Sequence, residues 1–189
     1  MGDKFAQIAF TETVKSVQEE LGSRNGYARR ESGDIDFNHR LGPRETSFIT
    51  ERDSFYMASV GETGWPYVQH RGGLKGFVRV FGAGTIGFAD YSGNRQYVSV
   101  GNLKTDERVS LFFMDYPNRT RLKLMGRAMF VAPEHTELIG KLILPDDKAR
   151  IERGILIKVE AFDWNCPQHI TPRYTAEEWE KVVWPLAKP

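Results

Sequence analysis

A single cysteine, Cys166, leaves this chain without an intramolecular disulfide framework. It also lacks any apolar run approaching the ~20 residues of a membrane span. Neither sign of charge is in excess: 26 Lys and Arg stand against 25 Asp and Glu, for a net charge of +1. No overall field therefore calls for nucleic acid or an acidic membrane surface. The nucleophile elbow G-x-S-x-G, the Walker lysine loop and the G-x-G-x-x-G fingerprint are all missing. Gly82-Ala83-Gly84 has no third glycine and sits in a hairpin. Histidine is scarce, at four residues, so the spacing Cys166-x-x-His169 has no second pair to complete a zinc site, and no metal is expected. The Asn118-Arg119-Thr120 sequon is read as chance. Met1 to Lys4 opens an amphipathic segment rather than the apolar stretch of a signal peptide, which leads to the expectation of a soluble cytoplasmic protein.

What is present is a β-rich texture framed by helical patterns. At 189 residues the chain is expected to form one domain, with N-terminal helices and a loop over 1–50, a barrel core over 51–165, and a tail and helix over 166–189. Val14, Val17 and Leu21 share one face of a predicted helix over 11–21, and Gly22 stops it. Residues 23–44 have no period and read as a loop; 45–53 has a weaker helical pattern. Short runs over 55–60, 65–71, 76–81, 85–89, 109–116, 121–131 and 154–162 read as strands, joined in part by the turns Gly61–Gly64 and Gly82–Gly84. Helical insertions are expected over 94–103, 133–144 and 176–183, the last capped by Thr175. The fold class is therefore mainly β with flanking helices, a six- to seven-stranded antiparallel barrel that is closed or nearly so.

Three polar clusters interrupt the alternation. Gln69-His70-Arg71 places three polar side chains in succession on a strand, so at least one faces the interior or a ligand; the alternative is an exposed edge strand entering the Gly72-Gly73 turn. Arg71 and Lys75 together offer a fork and a point charge to a phosphate. In Ser92-Gly93-Asn94-Arg95-Gln96, backbone N–H groups, an amide and a guanidinium meet between a strand and a predicted helix, an arrangement suited to an anion. Asn94 as a simple helix cap is the alternative. Arg95 just inside a helix N-terminus opposes the helix dipole, and a bound anion would offset that. In the third cluster, Arg121 and Lys123 alternate with Leu122 and Leu124, as in a strand with one solvated face.

Taken as a set, Trp65–Gly73, Gly76–Val80, Phe88–Arg95, Arg108–Phe113 and Arg121–Ala128 resemble the pyridoxamine 5′-phosphate oxidase-like family, over roughly residues 45 to 170. The resemblance implies an FMN-binding split β-barrel, usually a homodimer with the cofactor at the subunit interface. It implies that the Gln69, His70 and Arg71 strand meets the phosphate and the flavin. Lys75 corresponds to a family lysine, with the spacing shifted by Gly72-Gly73. Asn94, Arg95 and Gln96 match a Ser-Arg-Lys segment that holds the phosphate, with Gln96 replacing the lysine and His70 or Arg71 compensating. Arg121 falls where the family has a glutamine facing the flavin ring. The ending departs from that of true pyridoxamine phosphate oxidases, so vitamin B6 oxidation is not implied. Trp164 and Gln168 either close over the flavin or, for Trp164, seal the barrel end.

The function expected from these readings is an FMN-binding flavoprotein oxidoreductase, with a small-molecule substrate or electron donor and with no nucleic acid or membrane partner. No side chain stands out as an obligatory acid or base. The alternative is a non-catalytic protein that binds or senses flavin or haem on the same barrel, with His70 or His169 as an iron ligand. A deazaflavin would use the same phosphate residues.

Overall fold

The computed structural model describes residues 2–33, 35–164 and 167–183; Cys166 lies outside the described residues. Four short helices come first: α1 (Lys4–Ala9), α2 (Glu12–Glu20), α3 (Arg24–Glu31) and α4 (Pro43–Thr50). Strands β1 (Ser54–Val60), β2 (Pro66–Gly72), β3 (Arg79–Phe81) and β4 (Thr85–Tyr91) follow. Then come α5 (Val98–Thr105), β5 (Arg108–Asp115), β6 (Thr120–Val131), α6 (Thr136–Leu142), β7 (Ile151–Trp164) and α7 (Ala176–Val183). The seven strands form one antiparallel sheet in the order β2-β1-β5-β6-β7-β4-β3, the α+β split-barrel architecture expected.

Alternation builds the core. In β5, Val109, Leu111 and Phe113 point inward while Arg108 and Ser110 face solvent; in β6, Leu122 and Leu124 are fully buried between Arg121 and Lys123. Phe55 of β1 packs between the rings of Phe77, Phe88 and Phe113, at centroid distances of 5.9, 5.2 and 4.9 Å. The longest pairing, β6 with β7, carries a bulge between Met125 and Gly126. A Cβ on Gly126 would stand 2.5 Å from the Lys158 carbonyl oxygen, so no larger residue lets the strands approach there.

Several boundaries differ from expectation, each for a local reason. The segment read as a loop contains α3, which buries no side chain and so shows no period; Arg24 donates twice to Glu31, at 2.5 and 2.9 Å, across its length. Residues 76–78, read as strand, form a turn: Gly76 takes φ 86°, and Phe77 and Val78 fold into the core. The helix expected from Asn94 begins at Val98. α4 starts at Pro43, with the Glu45 carboxylate accepting from the Gly42 N–H at 2.9 Å. α7 begins as expected: Thr175 Oγ1 accepts from Glu178 N–H, and the Glu178 carboxylate accepts from Thr175 N–H at 2.8 Å.

A buried carboxylate ties α1 to α3, and Arg30 of α3 reaches Asp163 of β7 at 3.3 Å. Asp3 caps α1 by accepting from the Phe5 N–H at 3.1 Å and pairs with Arg30 at 2.6 Å. α1 packs on β7, and Lys123 stands 4.6 Å over the Phe5 ring.

Candidate functional site

The edge strand β2 alternates in exposure, and this decides which of its polar residues meet. Tyr67, Gln69 and Arg71 turn toward the end of β4 and the loop after it; His70 turns the other way and packs edge-on against Tyr56, at 5.6 Å. Across from Arg71 lies Asp90, a buried carboxylate near the end of β4, and its Oδ1 accepts from Arg71 Nη1 at 2.6 Å. The β4–β7 pairing slips one residue beyond Asp90: Asp90 faces Arg153, and Tyr91 faces Ile151. The extra residue is Glu152. Such a bulge re-aims neighbouring side chains, and here Glu152 lines the pocket while Arg153 reaches back to Asp90 Oδ2 at 3.3 Å.

The loop 92–97 forms the opposite wall. Asn94 Oδ1 accepts from the Gln96 N–H at 3.1 Å, an Asx turn, while Arg95 and Tyr97 take left-handed φ values of 60° and 54°. Arg95 therefore precedes the helix rather than sitting inside its first turn, and the dipole argument does not apply to it. Arg95 Nε donates to the Tyr97 hydroxyl at 3.3 Å, and that hydroxyl donates to Glu152 at 3.3 Å. Arg153 stacks over the Tyr97 ring at 5.4 Å and donates to Glu152 at 2.6 Å. The Ser92 hydroxyl, then Arg153, hold the Glu152 carboxyl below its ordinary range. The first turn of α5 closes the site: buried Ser99 donates to Gln69 Oε1 at 3.0 Å.

The result is a pocket of about 190 Å³ that gathers five of the ten expected residues: Gln69, Arg71, Asn94, Arg95 and Gln96. Three guanidiniums (Arg71, Arg95, Arg153) and two carboxylates (Asp90, Glu152) lie in or directly behind it, a balance of one positive charge. The Nε atoms of Arg71 and Arg153 are buried without a hydrogen-bond partner. The Arg71 donor in the pocket, the Arg153 donor directly behind it and the first turn of α5 suit an anion with several oxygens.

The other five residues lie elsewhere. His70 is on the outer face of β2, and Lys75 adds to Lys181 in holding Glu177 of α7 below the usual carboxylate range. Arg121 lines a separate cleft of about 470 Å³ with Tyr56, Phe112, Tyr116, His169 and Arg173; its Nε is buried without a partner and its guanidinium lies 5.7 Å from the Phe112 ring. Trp164 packs at the barrel end, donating to Glu45 at 2.8 Å with Phe48 at 4.8 Å and Arg44 at 4.1 Å. Gln168 is exposed in the turn of the tail. Sequence reasoning missed Glu152 and Arg153. The available signal was the break in alternation at the start of β7, where two charges stand side by side.

The family profile described as pyridoxamine 5′-phosphate oxidase matches residues 42–161, more than half of the chain. The chain belongs to the pyridoxamine 5′-phosphate oxidase family. The match takes in β1 to β6, the pocket and most of β7, and leaves α1 to α3 and the tail outside. No curated protein matches the chain in sequence. Among solved structures, HupZ of Group A Streptococcus superposes with a TM-score of 0.54 at 13% identity, covering 71% of this chain and 100% of its own. A histidine-to-alanine variant of the same HupZ gives 0.53 at 13% identity, with 66% and 99% covered. A Lactobacillus delbrueckii protein provisionally assigned as a pyridoxamine 5′-phosphate oxidase gives 0.51 at 15% identity, with 66% and 94% covered. At such identities the likeness is one of fold. Among the described residues no helix is long and apolar enough to cross a membrane, and no group of His, Cys, Asp and Glu side chains is placed to hold a metal ion.

Proposed function

We propose that this member of the pyridoxamine 5′-phosphate oxidase family is an FMN-binding oxidoreductase whose pocket at β2, β4 and α5 takes the FMN phosphate. The observation that carries the reading is the pair of orphaned, buried Nε–H groups of Arg71 and Arg153 beside the left-handed Arg95–Tyr97 loop. These residues fit a phosphate: Arg71 and Arg95 supply charge-assisted donors, Asn94 and Gln96 fix the loop, and Ser99 orients Gln69. At about 190 Å³ the pocket is smaller than the ~300–1,000 Å³ typical of small-molecule sites, and so suits one end of a cofactor.

FMN, when bound, supplies a hydride acceptor, and the protein fixes its orientation and electrostatics. The ring then needs a second wall. Arg121 lies on the outer sheet face, in a cleft that shares no lining residue with the phosphate pocket. A second copy of the chain brings such a face to the pocket, and its Arg121 guanidinium then steadies negative charge at the ring. Tyr56, Val60, Val68 and Met114 give this face an apolar surface suited to a homodimer in the cytoplasm. The small-molecule substrate or electron donor enters between the ring and the tail that carries Gln168 and His169.

Purified protein stripped of ligand is expected to quench FMN fluorescence saturably at one FMN per chain, to bind riboflavin at least about tenfold more weakly, and to scatter light as a dimer. A protein that takes up no FMN, or that takes up haem with an absorbance lost on substituting His70 or His169, contradicts the proposal.

A further inference from the structure

We infer that Asp90 is a positioning residue and that Arg153 is a second, unassigned cation of the anion pocket: Asp90 holds Arg71 and Arg153 side by side so that both present donors to one phosphate group. The inference rests on the phosphate reading of that pocket. Both carboxylate oxygens of Asp90 are engaged, Oδ1 by Arg71 Nη1 at 2.6 Å and Oδ2 by Arg153 Nε at 3.3 Å. Asp90 is 6% exposed and lines the pocket beside Arg71, so its pairs with the two guanidiniums are screened little by solvent.

The placement depends on the backbone. The regular β4–β7 register sets Arg153 opposite Asp90, and the slip just beyond that pair leaves Glu152 as the extra residue, so a strand that would otherwise alternate delivers two successive charged side chains to one site. Within this cluster Arg71, Arg153, Asp90 and Glu152 balance in charge but not in hydrogen bonds. The Nε–H of each arginine remains buried without an acceptor, because 3.3 Å to Asp90 is ion-pair contact without hydrogen-bond geometry. Arg71 lines the pocket, and Arg153 stands directly behind it against Asp90, Glu152 and Tyr97. A structural ion-pair cluster has no need of two unsatisfied buried donors; an incoming phosphate has oxygens for both. Arg95, across the pocket, adds the charge that the cluster itself lacks.

The sign of the effect separates positioning from simple charge. Removing a negative charge from the wall of an anion site strengthens anion binding if Coulomb energy alone decides. Positioning predicts the reverse, because a long arginine side chain released from its carboxylate must be re-ordered at each binding event.

The test is titration of the full chain and its Asp90→Asn, Asp90→Glu and Arg153→Gln variants with FMN, riboflavin and inorganic phosphate, phosphate being followed by its own NMR signal. Asp90→Asn is expected to weaken FMN and phosphate by at least about tenfold, the lower end for loss of an outer partner of a binding residue, with riboflavin within about twofold. Asp90→Glu is expected to recover part of the loss. If Asp90→Asn does not fold, Arg153→Gln, which keeps the Arg71–Asp90 pair, is expected to show the same selective loss. Tighter or unchanged FMN binding overturns the inference, as does an equal loss of FMN and riboflavin, the mark of a merely structural residue. A wild-type protein that binds phosphate but not FMN, with the phosphate lost in Asp90→Asn, upholds the inference and overturns the flavin proposal. Binding of neither overturns both.

Discussion

Replacing Arg71 with methionine is expected to weaken FMN binding by about 100-fold while leaving riboflavin binding within about twofold, as read by fluorescence titration. A hydrogen bond to a charged group contributes about 1.5–3 kcal/mol, and a guanidinium that gives two of them to one phosphate accounts for a loss of this size. Arg71 is the cation best placed to do so. It projects from the edge strand β2 into the pocket, its Nη1 is held by Asp90, and its Nε is left without a partner. The isolated phosphate dependence distinguishes this from general damage, because riboflavin keeps the ring and loses only the anion. Arg71→Lys is expected to recover part of the affinity as a point charge, but not the forked geometry. Loss of both ligands together would assign Arg71 to the fold rather than to the phosphate.

Phe55→Ala is expected to destabilise the protein by about 3–5 kcal/mol, the cost of emptying a large, fully packed aromatic site. Phe55 is 1% exposed and touches three further rings, two of which belong to segments that frame the pocket. Phe88 precedes Ala89-Asp90 on β4, and its ring lies 5.9 Å from the Arg71 guanidinium; Phe77 follows the turn after β2. Against a typical total of about 5–15 kcal/mol, such a loss removes a large share of the folding free energy. Urea unfolding is expected to show a lower midpoint with an unchanged slope. A change below about 1 kcal/mol would mean that the aromatic cluster is not the packing centre that joins β1, β4 and β5.

Legibility in the sequence followed the physical signals. The strands were readable because one face of each meets the core, so Val109, Leu111 and Phe113, or Leu122 and Leu124, alternate with polar partners. The two glycine turns were readable from their own composition. α3 was not, since a helix that buries none of its side chains carries no period and is held by the Arg24–Glu31 pair instead. Phe77 and Val78 read as strand because they are apolar, yet Gly76 turns them into the core without pairing. At the site, Arg71, Asn94 and Arg95 could be found from local clustering. Arg153 could not be placed, because its partner Asp90 is far away in the chain and only the β4–β7 pairing brings them together. The dipole argument for Arg95 does not hold: a left-handed turn, not a helix start, orients it.

The most direct test of the flavin proposal is a crystal structure of the protein grown with FMN. The phosphate is expected between Arg71 and Arg95, against the N–H groups of residues 93–97, with the ring leaving the pocket toward the Arg121 of a second copy. A phosphate bound anywhere else, or crystals that hold no flavin in that pocket at saturating FMN, would contradict it.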